Sequence, residues 1–64
     1  MFVKVRFTNG AESTAGLIMP YDKVKHSTIT ELSRAFPYSE APKMKRLDIS
    51  PAYETWEEAF NHKF

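Results

Sequence analysis

Apolar and polar side chains alternate from Phe2 to Thr8, Phe-Val-Lys-Val-Arg-Phe-Thr. Val3, Val5 and Phe7 fall on one side; Phe2, Lys4, Arg6 and Thr8 fall on the other. This period of two is the signature of a strand with one buried face. Asn9-Gly10 comes next. Both residue types tolerate positive φ, which a type I′ hairpin turn requires at both central positions. Such a turn pairs Thr8 with Ala11 and returns Ser13 to Met19 as a second strand. Gly16 then lies opposite Val3, and Ile18 joins the buried face. The small residues Ala11, Ser13, Thr14, Ala15 and Gly16 make this second strand thin.

Prolines at 20, 37, 42 and 51 punctuate the rest of the chain, because proline interrupts helices and central strands alike. Tyr21 to Ser27 reads as a polar connection. Thr28-Ile29-Thr30-Glu31 fits a capping box. Ile29, Leu32 and Phe36, with Ala35, form an apolar face at i, i+3 and i+7, which predicts a helix from 29 to 36 stopped before Pro37. Pro37 to Pro42 is a short loop. Met44 to Ile49 reads as a third strand with Leu47 and Ile49 inward. Lys43 and Lys45 share that parity, which implies a late start or a bulge. Ser50-Pro51 looks like a helix start, with Ser as N-cap and Pro at the first helical position. Tyr53, Trp56 and Phe60 then line one face, flanked by Ala52 and Ala59 and extended by Phe64. Glu54, Glu57 and Glu58 precede His62 and Lys63, the order that the helix dipole favours.

The predicted fold is α+β: elements in the order ββαβα, a three-stranded antiparallel sheet ordered 2-1-3, and two short helices. The second helix is expected on the same sheet face as the first, or beside it. With 64 residues, residues 1–64 are expected to form a single small domain. A chain of this size hides only about 60% of the surface that its unfolded form exposes and gains roughly 3–5 kcal/mol from its core. Little is left for a deep, water-excluded reaction pocket. Opening on Met1 without a tag-like stretch, it reads as a complete small gene product.

Composition narrows the classes. Aromatic residues make up 14% of the chain, too many for a disordered segment. The absence of cysteine removes a disulfide framework, thiolate metal sites and a thiol nucleophile. An unstapled chain this small points to a reducing cytoplasm. No apolar run approaches the roughly 20 residues of a membrane span, so no membrane partner is expected. The net charge of +1 conceals a gradient. Through Arg46 there are eight cations against four acids; from Leu47 onward there are four acids against Lys63 alone.

With Gly10 and Gly16 the only glycines, no phosphate-gripping loop, dinucleotide fingerprint or Gly-x-Ser-x-Gly elbow is possible. Glu54, Glu58 and His62 stand four apart and could offer ligands to a metal. Like Asp22 and His26, they read as ordinary surface pairs. No catalytic residue, metal ligand or cofactor is assigned, and the chain is expected not to be an enzyme.

Two binding surfaces remain. The first is aromatic. Tyr, Trp and Phe are enriched at protein interfaces, and nine aromatics in 64 residues exceed what so small a core can cover. Tyr21, Tyr38, Glu40 and Phe64, at element ends and in the loop between Pro37 and Pro42, are the candidate contacts. The second is basic. Phe2, Lys4 and Arg6 lie on the non-core face of the first strand, with Arg46, Lys43 and Lys45 near, a pattern that stacks a base and neutralises phosphates. About four phosphate contacts give a salt slope near −3.6, so such binding is weak. An ordinary cross-strand pair of Lys4 or Arg6 with Asp48 competes with that use. The expected function is that of a small non-enzymatic interaction protein, a regulator, adaptor or inhibitor, which binds the surface of a larger protein or nucleoprotein. The alternative is a weak nucleic-acid-binding module using the basic sheet face. A homodimer through the thin second strand is compatible with both.

Overall fold

The computed structural model describes residues 1–64. Strand β1 spans Phe2–Thr8, β2 Leu17–Pro20 and β3 Arg46–Ile49, in one antiparallel sheet ordered β2-β1-β3. Helix α1 is Tyr21–Lys25, α2 is Ile29–Ala35, a 3-10 turn covers Ala41–Lys43, and α3 is Trp56–Phe60. The predicted α+β sheet, its order and its central strand are all present.

Val3, Val5 and Phe7 are completely buried on one face of β1. Met19, Val24, Leu32, Phe36, Ala41 and Met44 close over them. Each large side chain so buried contributes roughly 1.5–3 kcal/mol. The Phe36 ring meets Phe7 edge-on, with centroids 4.9 Å apart. The capping box forms as expected: the Thr28 hydroxyl accepts from the Glu31 N–H, and the Glu31 carboxylate accepts from the Thr28 N–H. The Thr28 N–H, and after it the Thr28 hydroxyl, hold the Glu31 carboxyl below its usual pKa.

The hairpin differs from the type I′ expectation. Only Gly10 has positive φ, at 95°. The Asn9 side chain instead accepts from the Ala11 and Glu12 N–H groups at 3.0 and 2.7 Å, a local turn that Asn supplies readily. Thr8 therefore bridges to Ser13, not Ala11. The Thr14 N–H then donates to the Phe7 carbonyl, while its hydroxyl accepts from the Phe7 N–H. One extra residue is taken up before Leu17, and Val3 pairs with Met19. A shift of three positions from the expected register reverses facing, as the period of two demands. Met19 and Leu17 face the core, Ile18 pairs with Lys4 on the other side, and Gly16 lies against the Lys4 side chain.

Tyr21–Lys25 is a helix in place of the expected connection. Its single buried residue is Val24, too little for a periodic signal. β3 begins late, at Arg46, and Lys43 and Lys45 stay outside it. The helix expected from Ser50-Pro51 starts instead at Thr55, whose hydroxyl accepts from the Glu58 N–H. Backbone pairing with β1 competes for the intervening residues. Ser50 exchanges hydrogen bonds with Lys4, and Tyr53 exchanges two with Phe2 at 2.7 and 2.8 Å. α3 also takes the opposite sheet face. Lys4 and Arg6, which point away from the core, meet the C-terminal end of α3 and the tail beyond it. The sheet is thus covered on both sides.

Candidate functional site

α3 is anchored by Ala59, which is 0% exposed, and by β1 beneath it. The Lys4 ammonium donates to the Phe60 and His62 carbonyls at 3.0 and 2.9 Å, satisfying acceptors that a helix end leaves free. It also lies 5.6 Å from the Phe60 ring centre. The Arg6 guanidinium sits 4.6 Å from the centre of the Phe64 ring and ion-pairs with Asp48 at 3.1 Å. Partial burial raises the Asp48 carboxyl pKa, but the Arg6 hydrogen bond and the Arg46 charge outweigh it and hold the group below its usual value. The Tyr53 hydroxyl and His62 Nδ1 are 2.8 Å apart, and the His62 ring meets Phe64 edge-on.

These contacts fix the C-terminal segment and leave its rings half in water. Trp56 and Phe60 stack with centroids 5.1 Å apart and planes 12° from parallel. Their exposures are 49% and 54%, and that of Phe64 is 44%. The helix expected on the core side of the sheet instead presents Trp56 and Phe60 outward, with Phe64 continuing the aromatic face. Trp56 and Phe60 are not among the contacts expected from the sequence. A helical stripe of rings reads the same from either side of a surface, and the deciding signal, which face of β1 receives it, is tertiary.

The candidate contacts expected from the sequence fall in three places. Phe64 belongs to the aromatic face. Tyr38 and Glu40 line a groove of about 450 Å³ with Glu12, Ser13, Thr14 and Met44, and the Tyr38 ring is 6.2 Å from Phe36. Tyr21 opens α1 and is exposed, away from this groove.

The basic set divides as well. Phe2 is half-buried and bracketed by the Tyr53 backbone; Lys4 and Arg6 are engaged under the tail. These three do not form an open face, because α3 and the tail occupy it. Lys43, Lys45 and Arg46 are exposed around a separate groove of about 310 Å³ with Thr8, Asn9 and Gly10. Neither lysine has an acidic partner on the chain, whereas Arg46 shares Asp48 with Arg6.

The row of Glu54, Glu58 and His62 does not form, since α3 spans only Trp56–Phe60. Glu58 accepts from Thr55, and His62 turns to Tyr53. No three His, Asp or Glu side chains converge as ligands, and no helix is long and apolar enough to cross a membrane. No protein-family model, curated protein or solved structure matches this chain.

Proposed function

We propose that this is a non-enzymatic interaction protein, a small regulator, adaptor or inhibitor acting in a reducing cytoplasm by binding the surface of a larger macromolecular partner. The observation that carries the reading is the stacked, half-exposed Trp56–Phe60 pair, continued by Phe64. Large aromatic rings have few rotatable bonds and bury much area on contact, and such residues are enriched among the energetic centres of interfaces. Cysteine is absent, and the Tyr53–His62 hydrogen bond ties the tail to the segment before α3. Tyr38 and Glu40, on their own groove, and Tyr21 are the next candidate contacts.

The test is recovery of a partner from a lysate by the wild type and by Trp56→Ala/Phe60→Ala. An interface anchor is worth at least about 2 kcal/mol, or roughly 30-fold in affinity, so the double variant should recover little. Because both rings are half in water, the variant should keep its circular dichroism spectrum. Equal recovery by a folded double variant would overturn the assignment of this face.

A second reading is favoured by one observation: Lys43 and Lys45 are exposed without acidic partners and share a groove with Arg46. Weak phosphate-backbone binding there would involve three cations and a salt slope near −2.7 on duplex DNA. Lys43→Glu/Lys45→Glu should abolish the anisotropy signal of a labelled oligonucleotide; a signal unchanged by that pair would remove the groove from consideration.

A further inference from the structure

The segment that carries the aromatic face is acidic. Glu54, Glu57 and Glu58 are exposed on α3 and on the turn leading into it. None has a cationic partner on the chain, whose only ion pairs are Arg6–Asp48 and Arg46–Asp48. Glu58 accepts from the Thr55 hydroxyl. The neighbouring cations, Lys4 and Arg6, lie beneath the segment and are already engaged with the Phe60 and His62 carbonyls and with Asp48. Lys63 is the one other exposed cation in this stretch.

We propose that the Trp56–Phe60 face docks a cationic segment of another protein, with apolar side chains against the two rings and a lysine or arginine against Glu57, which follows Trp56 on the exposed side of α3. Glu54, before the helix, and Glu58, on the side of α3 opposite the rings at 3.6 residues per turn, add to the attraction at longer range. This rests on the reading of that face as the docking surface and adds the partner's chemistry. Two physical arguments select it. Charge complementarity steers and orients partners, and juxtaposed like charges exclude the wrong ones. A phosphate-rich partner or an anionic membrane would meet three uncompensated carboxylates, and membrane-surface helices carry lysine and arginine on that flank instead. A second copy docked through the same face about a two-fold axis would set Glu57 and the acidic segment around it against their own copies. The second argument is the chemistry of the rings. This chain already lays Lys4 over Phe60 and Arg6 over Phe64. Tryptophan is the best aromatic acceptor for a cation, and Trp56 retains half its surface in water.

Trp56 is the only tryptophan, so its emission reports this face alone. The probes are a set of fluorescein-labelled amphipathic peptides with varied apolar anchors and lysine or arginine flanks, the same peptides with glutamate flanks, and a labelled single-stranded oligonucleotide. Cationic members should bind, shift Trp56 emission to the blue and weaken with salt. The triple variant Glu54→Gln/Glu57→Gln/Glu58→Gln should weaken them roughly threefold or more, the loss of one exposed charge pair at Glu57 and of the longer-range attraction of the other two. Anisotropy should show binding lost in Trp56→Ala/Phe60→Ala. Binding lost in the ring variant but unchanged in the glutamine variant overturns the charge proposal and leaves the docking face intact. Equal or tighter binding of acidic peptides or oligonucleotide at Trp56, self-association that buries Trp56, or no binding by any cationic peptide also overturns it.

Discussion

Gly16→Ala should destabilise this protein through a side chain on another strand. Gly16 does not need positive φ, so backbone strain plays no part. A methyl group added there collides with Lys4 Cε and comes within 3.0 Å of Lys4 Cγ and 3.2 Å of Cδ. Lys4 cannot simply swing aside, because its ammonium is held by the Phe60 and His62 carbonyls. Hydrogen bonds to a charged group contribute roughly 1.5–3 kcal/mol when buried. Lys4 is half-exposed and water can replace both carbonyls, so roughly 0.5–1 kcal/mol each is the better figure. Losing both costs about 1–2 kcal/mol. Against this, Gly→Ala restricts the unfolded chain and stabilises by roughly 0.4–1 kcal/mol. The net loss is about 1 kcal/mol, a fall in Tm of about 4–8 °C for a domain of this size. The assay is thermal unfolding of the wild type, Gly16→Ala, Lys4→Ala and the double variant. Once Lys4 is truncated the methyl has room, and the same substitution should raise Tm. A Gly16→Ala that raises Tm in the wild-type background, or that shifts Tm equally in both, would refute the account of how Lys4 latches the tail.

Other substitutions test the core, the cap and the charge clamp. Phe7→Ala removes a ring with no exposure and should cost about 3–5 kcal/mol, comparable to all that a core this size supplies; circular dichroism should show an unfolded chain at 25 °C, and a near-native melting transition would contradict the core assignment. Thr28→Ala deletes the acceptor of the Glu31 N–H and should cost about 1 kcal/mol; an unchanged urea midpoint would count against that cap. The Asp48 carboxyl has a lower pKa folded than unfolded, so the unfolded chain binds the proton first as pH falls. Its contribution is complete above the ordinary aspartate value of about 4 and is lost as pH drops through the lower folded value. Wild type should therefore lose more stability than Asp48→Asn on going from pH 5 to pH 2, and parallel urea midpoints would contradict the Arg6–Asp48–Arg46 clamp.

Much of the fold is legible in the chain because some of its signals are local and uncontested. The alternation through β1 has one interpretation, and the Thr28–Glu31 box forms as read. The sheet order follows from one central strand that must be covered on both edges. Failures arise where two local signals compete. Asn9 can turn a chain by positive φ or by accepting backbone N–H groups with its side chain, and it does the latter, which moves the pairing of Thr8 by two residues; one more taken up before Leu17 completes the shift of three. Ser50-Pro51 and Thr55-x-x-Glu58 both resemble helix starts. The second prevails because Ser50 and Tyr53 gain backbone partners on β1. The candidate site is less legible. Lys4 and Arg6 look like solvent-facing cations in an alternating strand, yet long cationic side chains can lie under aromatic rings and keep their charge satisfied. That choice sends α3 to the far face and turns Trp56 and Phe60 outward.

Zero-length coupling of carboxylates to amines in a native lysate, read by mass spectrometry, tests the docking surface and its polarity together. The account predicts that Glu57 and its neighbours Glu54 and Glu58 become joined to lysines of a partner protein, and that these links vanish in Trp56→Ala/Phe60→Ala. Links confined to Lys43 and Lys45 through a partner's carboxylates, with α3 untouched, would contradict it.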